Sequence, residues 1–243
     1  MLAREIDLTA GTELSVEIHE VEMVRELRTT RPNKIIIDWS RGEQSADDYG
    51  KGLGESKKGC HLYIDKNGDV HQFADLWLHK VKRGGIFIDQ DAIWIVMQNR
   101  GDADIESKVK RGGFLYPWGK KRYHVFGANN DQIDALLEVV MLIGMSIGIP
   151  LGFPHRDENM LKEQLSPLMT TAFSGVLLAS HVLDTAAPGP GILDALQEAF
   201  EDLEEDENED EDEDEDEDEP GQEDEIEFSF DTSQFERDFP DPS

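Results

Sequence analysis

Apolar and polar positions along the chain change period several times, and each change predicts an element. LSVEIHEV alternates with period two and VEMVRELR shifts to helical spacing, so residues 1–32 read as a strand or short helix leading into the domain. Pro32 and Asn33 break that segment. The run Ile35 to Ile37 then has the unbroken apolar character of a central strand buried on both faces. A polar, Gly-rich loop is expected from Arg41 to Gly59. In CHLYIDKNGDVHQF apolar residues alternate on either side of Lys66-Asn67-Gly68, which predicts a hairpin whose tight turn takes its positive φ angles from Asn-Gly. AIWIVMQ, residues 92–98, is a further buried strand, rich in β-branched and aromatic side chains.

Residues 99–128 read as a loop-like basic insertion. From Asn129 an Asn/Asp start opens a helix through Gln132, Ala135, Leu136, Val139 and Ile143 that ends near Gly148. Residues 150–172 are expected to be irregular or briefly helical, FSGVLLASH returns to the sheet, and GILDALQEAFEDL forms a last amphipathic helix. The order strand, hairpin, strand, long helix, strand, helix predicts an α/β fold: a mixed central β-sheet flanked by helices. No internal repeat interrupts it.

Charge divides the chain more sharply than hydropathy does. Of a formal net charge of −31, residues 196–243 supply −25, from 26 acids and one arginine. The preceding body is an ordinary, mildly acidic domain. The run from Glu204 to Glu219 has nothing apolar to bury and repels itself, so residues 204–243 are expected to form a disordered acidic tail. Within it Phe228, Phe230, Phe235 and Phe239 are spaced among acids, the composition of a segment that orders on a partner with a basic surface. Lys80 to Arg122 carries ten basic residues against five acids, interleaved with aromatics. An anionic glycan or phosphate would suit it, but a solvated hairpin is the simpler reading, and the overall balance weighs against nucleic acid.

Cys60 is the only cysteine, which excludes a disulfide framework or a cysteine-rich zinc cluster within one chain. Its surroundings predict an inert buried thiol. ALLEVVMLIGMSIGIPLGF is interrupted by Glu138, Gly144, Gly148 and Pro150 and falls short of the ~20 apolar residues of a membrane span. The N-terminus lacks the basic start and apolar core of a secretory signal, which predicts a protein made in a cytoplasm.

Three segments bear on chemistry: IIIDWS; GCHLYIDKNGDVHQF with the later LWLHK; and ASHVLDTAAPGPG. Spaced around the helix opened by Gln132, they resemble the zinc-dependent N-acetylmuramoyl-L-alanine amidases and the related peptidoglycan recognition proteins, over roughly residues 33–195. In that family a first strand ends in a zinc-binding His, the hairpin reads like YHFVIDRDGTV, a later segment reads like WHAG, and the site closes with GH followed by DPGP. The resemblance implies domain limits of 33–203 between the lead-in and the tail. It puts the first metal ligand at Asp38, the second at His181 and the third at Ala187, so one of three is the family's type. Asp184, three residues beyond His181, is the candidate replacement, with His155 in GFPHRDEN as a spare. His61, Trp77 and His79 fall where the family has a ligand groove. The usual Tyr and Lys of the family's catalytic positions are replaced by Cys60 and Thr185, and the Gly after the WHAG-like His by Val81.

Amide hydrolysis on this plan needs Zn²⁺ held by three side chains with a fourth position open, so that the metal polarises the carbonyl and brings the pKa of its water to ~7. The Ala187 methyl donates no electron pair. Since replacements fall on several functions together, the resemblance implies a degenerate amidase-like domain, a pseudoenzyme with weak or absent zinc and lost or reduced hydrolysis, that binds a peptidoglycan fragment or a protein partner. Two alternatives stand beside it. One is an active zinc amidase that cleaves the muramoyl–L-alanine bond from a rearranged site of Asp38, His181 and Asp184, as a phage lysin or a recycling enzyme would. The other is an interaction protein of a virion or regulatory complex that acts through its acidic tail.

Overall fold

The computed structural model describes residues 15–20, 23, 25–40, 42–56, 58–99, 114–118, 121–125, 127–156, 159–183 and 192–212. Residues Met1–Glu204 form one compact unit and Glu205–Ser243 a second.

The first unit is built on a six-stranded mixed sheet. Its strands are β1 (Val16–Ile18), β3 (Lys34–Trp39), β4 (Leu62–Ile64), β5 (Val70–Gln72), β7 (Ala92–Met97) and β12 (Gly175–Leu178), in the spatial order β1-β5-β4-β7-β3-β12. Only the β4–β5 hairpin pairs antiparallel; the other four neighbours run parallel. Every residue of β3 and β7 is buried, as expected for central parallel strands with both faces covered. On one face Ile35, Ile37, Ile93 and Ile95 meet the long helix α3 (Asn130–Ile147) and α6 (Ile192–Asp212). On the other, Ile36, Tyr63, Trp94 and Leu177 meet α1 (Ala46–Ser56) and the segment around Leu161 and Leu165.

The lead-in is part of this architecture: β1 is the edge strand beside β5, and β2 (Arg25–Leu27) pairs with β6 (His79–Val81) in a separate ribbon. The segment expected as a loop from Arg41 to Gly59 holds α1, because Ala46, Tyr49, Gly50 and Leu53 recur at helical spacing and bury one stripe. Ser45 opens it by accepting the Asp48 amide on its hydroxyl. Glycines in that stretch masked the period. The long helix starts and stops where the sequence places it, with Asn129 accepting the Gln132 amide and Gly148 at φ 70° closing the last turn.

The hairpin forms about the expected turn. Its strands pair out to Ile64 and Val70, and the connection is a turn from Asp65 to Gly68 in which Asp65 accepts the Asn67 amide and Gly68 takes φ 84°. In the basic insertion, residues 100–113 lie outside the described residues, but where a loop was expected for 99–128, β8 (Phe114–Trp118) and β9 (Lys121–Val125) form an antiparallel hairpin, the simpler of the two readings of its basic part. A short ribbon of β10 (His155–Arg156) and β11 (Asn159–Met160) and two short helices, α4 (Pro167–Ala172) and α5 (Ala179–Val182), bracket β12, and α2 (Ile86–Asp89) precedes β7. Helix α6 continues past the expected boundary at 204 to Asp212: its first turns are anchored by Ile192, Leu193, Leu196 and Phe200, and extending a packed helix is far cheaper than starting one. The tail phenylalanines lie outside the described residues.

The outer side of β12 is covered. The Val176 amide donates to Gly152 O at 2.9 Å and the Leu178 amide to His181 Nδ1 at 2.9 Å.

Candidate functional site

Functional groups in parallel sheets collect beyond the carboxyl ends of the strands. Here Asp38, the fifth residue of β3, faces a cavity of about 230 Å³ lined also by Trp39, Ser40, Tyr49, Lys58 and Arg83. A space of that size is below the ~300–1,000 Å³ of sites that enclose a drug-sized ligand. It admits one residue-sized group.

Inside it, Asp38 is engaged. Its Oδ1 accepts the Trp39 amide at 2.8 Å, and its Oδ2 accepts Arg83 Nε at 2.8 Å and Nη2 at 2.5 Å. Both side chains are nearly enclosed, at 6% and 9% exposure. Arg83 Nη1 also donates to Tyr49 Oη at 3.1 Å, and the guanidinium lies over the Trp94 ring at 5.8 Å. Burial works against the Arg83 charge, but Asp38, Tyr49 and Cys60 together more than offset it and hold the guanidinium above its ordinary range. Burial pushes the Tyr49 phenol upward, so it stays a neutral donor and acceptor. Cys60 is wholly buried and its thiol is raised to about 12 by the same effect, in keeping with the inert reading.

Arg83 is itself held by Asp89. The two Asp89 oxygens accept the amides of Arg83, Gly84 and Gly85 at 2.7–3.0 Å and the Trp94 indole N–H at 3.1 Å. One buried carboxylate therefore shapes the loop that delivers the guanidinium. Neither residue stood out in the sequence, since RGGIFID matches no motif.

His181 is wholly buried and both ring nitrogens are used. Nδ1 accepts the Leu178 amide, so in the neutral ring Nε2 carries the proton, which it donates to Leu161 O at 2.8 Å. Burial lowers its pKa to about 4 and keeps it neutral. Zinc needs an unshared pair from each ligand. As arranged, His181 has no unshared pair left and Asp38 is held by Arg83, so neither fits a metal without giving up these contacts. Asp184 and Ala187 lie outside the described residues, and His155 is exposed, with Nδ1 2.6 Å from Phe153 O.

Of the three residues assigned to a ligand groove, His61 and His79 lie in contact, and none of the three lines the Asp38 pocket. His61 is buried beneath β7, where its Nδ1 accepts the Trp94 amide and its Nε2 lies 3.0 Å from His79 O, so it reaches no groove. Burial, reinforced by the Arg28 guanidinium 3.0 Å from Nε2, depresses its pKa to about 3. Trp77 packs against the α3 side of the core with Arg31 over its ring at 5.5 Å. His79 is half-buried in β6, and burial lowers its pKa too.

The fold and this site define the chain as a mixed-sheet α/β domain with an ion-paired pocket at its strand ends. No family model matches the sequence, and no curated protein matches it. Among solved structures it is similar to the endolysin N-acetylmuramoyl-L-alanine amidase LysCS from Clostridium intestinale, with a TM-score of 0.47 and 10% identity over 78% of this chain and 95% of that one. It is also similar to the Drosophila peptidoglycan recognition protein SA, with a TM-score of 0.44 and 11% identity over 76% and 91% of the two chains. An endolysin of the Thermus scotoductus bacteriophage Ph2119 gives 0.42 and 15% over 76% and 99%.

Proposed function

We propose that this domain binds a peptidoglycan fragment without hydrolysing it. The observation that carries the reading is the Arg83–Asp38 pair: at the position where the resemblance expects the first zinc ligand, the carboxylate is neutralised by a guanidinium from the same chain. The motif resemblance supports the ligand class, and the pocket supports the mode. A cavity of about 230 Å³ takes one end of a stem peptide rather than a disaccharide-peptide, and Lys58 adds an exposed cation on its lining that suits a carboxylate.

Within that reading each group has a binding task. Arg83 is fixed by Asp38 and Asp89, so the neutral ion pair forms a rigid wall of the pocket with little ordering cost. Tyr49 and Ser40 offer hydroxyls. No step in this reading passes through a metal.

The test is calorimetry of the purified full chain with a soluble muramoyl peptide, with and without EDTA, alongside chromatography of the products. The expected outcome is one-to-one binding that survives EDTA, weakens at least about tenfold in Lys58→Glu, and leaves the ligand intact. Release of the free peptide from muramic acid, blocked by EDTA, would overturn the proposal in favour of an active amidase.

A further inference from the structure

A second cluster lies on the same sheet face, outside the Asp38 pocket, and its donors fit a transition metal better than the expected set does. On β1, Glu17 and the residue two further on, His19, project from one face of an extended segment. The parallel register puts His71 of β5 directly opposite Glu17. Three donors thus converge by strand pairing alone. Glu17 Oε2 lies 3.3 Å from His71 Nδ1 and 3.6 Å from His19 Nε2, and the two ring nitrogens are 2.9 Å apart. A tetrahedral ion with ~2.0–2.1 Å bonds needs donors ~3.3–3.4 Å apart. The observed separations bracket that value.

The surroundings set the ring tautomers. Asp47 Oδ1, at the start of α1, lies 3.4 Å behind His19 Nδ1, where a carboxylate holds the proton and leaves Nε2 free to ligate. Among the described residues His71 Nε2 is buried without a hydrogen-bond partner; with the proton there, Nδ1 is the donor nitrogen. Both rings are nearly enclosed, whereas the Glu17 side chain is 69% exposed and keeps one side of the cluster in water. Tyr63, Phe73 and Tyr49 pack between this cluster and Arg83.

We infer that Glu17, His19 and His71 form a site for a divalent transition ion of the zinc class, with the fourth position open to solvent. The two imidazoles are borderline donors that, beside one carboxylate, select such ions over calcium or magnesium, which prefer oxygen-only shells. The ion replaces the imidazole–imidazole contact and fastens the edge strand β1 to β5. This site does not rest on the function proposed above.

The experiment uses the metal-stripped full chain titrated with Co²⁺ and read by visible absorption, then with Zn²⁺ in competition. The expected result is one equivalent of Co²⁺ with the intense absorption of a four-coordinate, imidazole-bound ion, which Zn²⁺ removes. Co²⁺ held by the acidic tail is six-coordinate and pale, so it does not imitate this signal. His71→Ala should abolish the band. Glu17→Gln, on an exposed side chain that the fold does not need, and Asp47→Asn should each weaken binding by about tenfold or more, and His155→Ala should leave it unchanged. A pale spectrum only, or an intense band that survives in both His71→Ala and Glu17→Gln, overturns the assignment.

Discussion

Arg83 is the residue on which the candidate pocket depends, and removing its partner has a cost that can be stated. Asp38→Ala leaves a buried guanidinium without a counter-charge, so it should destabilise the fold by about 3–5 kcal/mol in urea denaturation, whereas a solvent-facing ligand group awaiting a metal would cost far less. The buried histidines make a second prediction. Their folded-state values, about 4 for His181 and about 3 for His61, lie below the ordinary 6.5. The unfolded chain therefore binds protons that the folded one refuses. Their stabilisation is fully present above pH 6.5 and is lost as the pH falls through their folded values, each contributing up to about 1.4 kcal/mol per pH unit within that window. Urea midpoints measured from pH 7.5 to pH 4.5 should fall, with a shallower slope in His181→Gln. Asp38 and His181 were legible in the sequence as chemically notable positions, because each lies in a motif near or just beyond the end of a strand. What they do was not legible, since their partners, Arg83 and the Leu161 carbonyl, are 45 and 20 residues away in the chain.

Among the elements, those with a strong period or a strong cap were readable and those carried by tertiary packing were not. The runs Ile35 to Ile37 and Ala92 to Met97 became β3 and β7 because nothing polar interrupts them, and α3 is bounded by the Asn129 and Gly148 caps. Helix α1 was hidden by its glycines and rests on Tyr49 stacking over Tyr63 at 4.6 Å. The metal cluster was hidden for a related reason: the alternation in LSVEIHEV puts Glu17 and His19 on one face, but only the pairing of β1 with β5 supplies His71. The junction of hairpin and long helix offers a test at this scale. Gly68 has φ 84°, and a Cβ there would come within 2.5 Å of Asp131 O, while Asn129 Nδ2 donates to Lys66 O at 2.6 Å. Gly68→Ala should cost at least about 1–2 kcal/mol and Asn129→Ala about 1 kcal/mol. Because both act on one contact, the double variant should depart from additivity by about 0.5 kcal/mol or more in denaturation midpoints.

For the molecule as a whole, the dominant quantity is the −25 carried by residues 196–243. Such a charge repels anionic ligands over about a Debye length, ~8–10 Å at physiological salt. Removing residues 213–243 should raise affinity for a carboxylate-bearing muramoyl peptide at low salt, and the gain should vanish near molar salt; equal titrations at both salts would sink this prediction. No helix among the described residues is long and apolar enough to cross a membrane. The covered side of β12 carries a further consequence. An exposed strand margin is a template on which a second polypeptide can add itself, the first step towards aggregation. With the Val176 amide bound to Gly152 and the Leu178 amide to the His181 ring, that margin offers no free donor at either position. His181 thus acts as a terminator of the sheet, and its replacement should show itself first as self-association at high concentration.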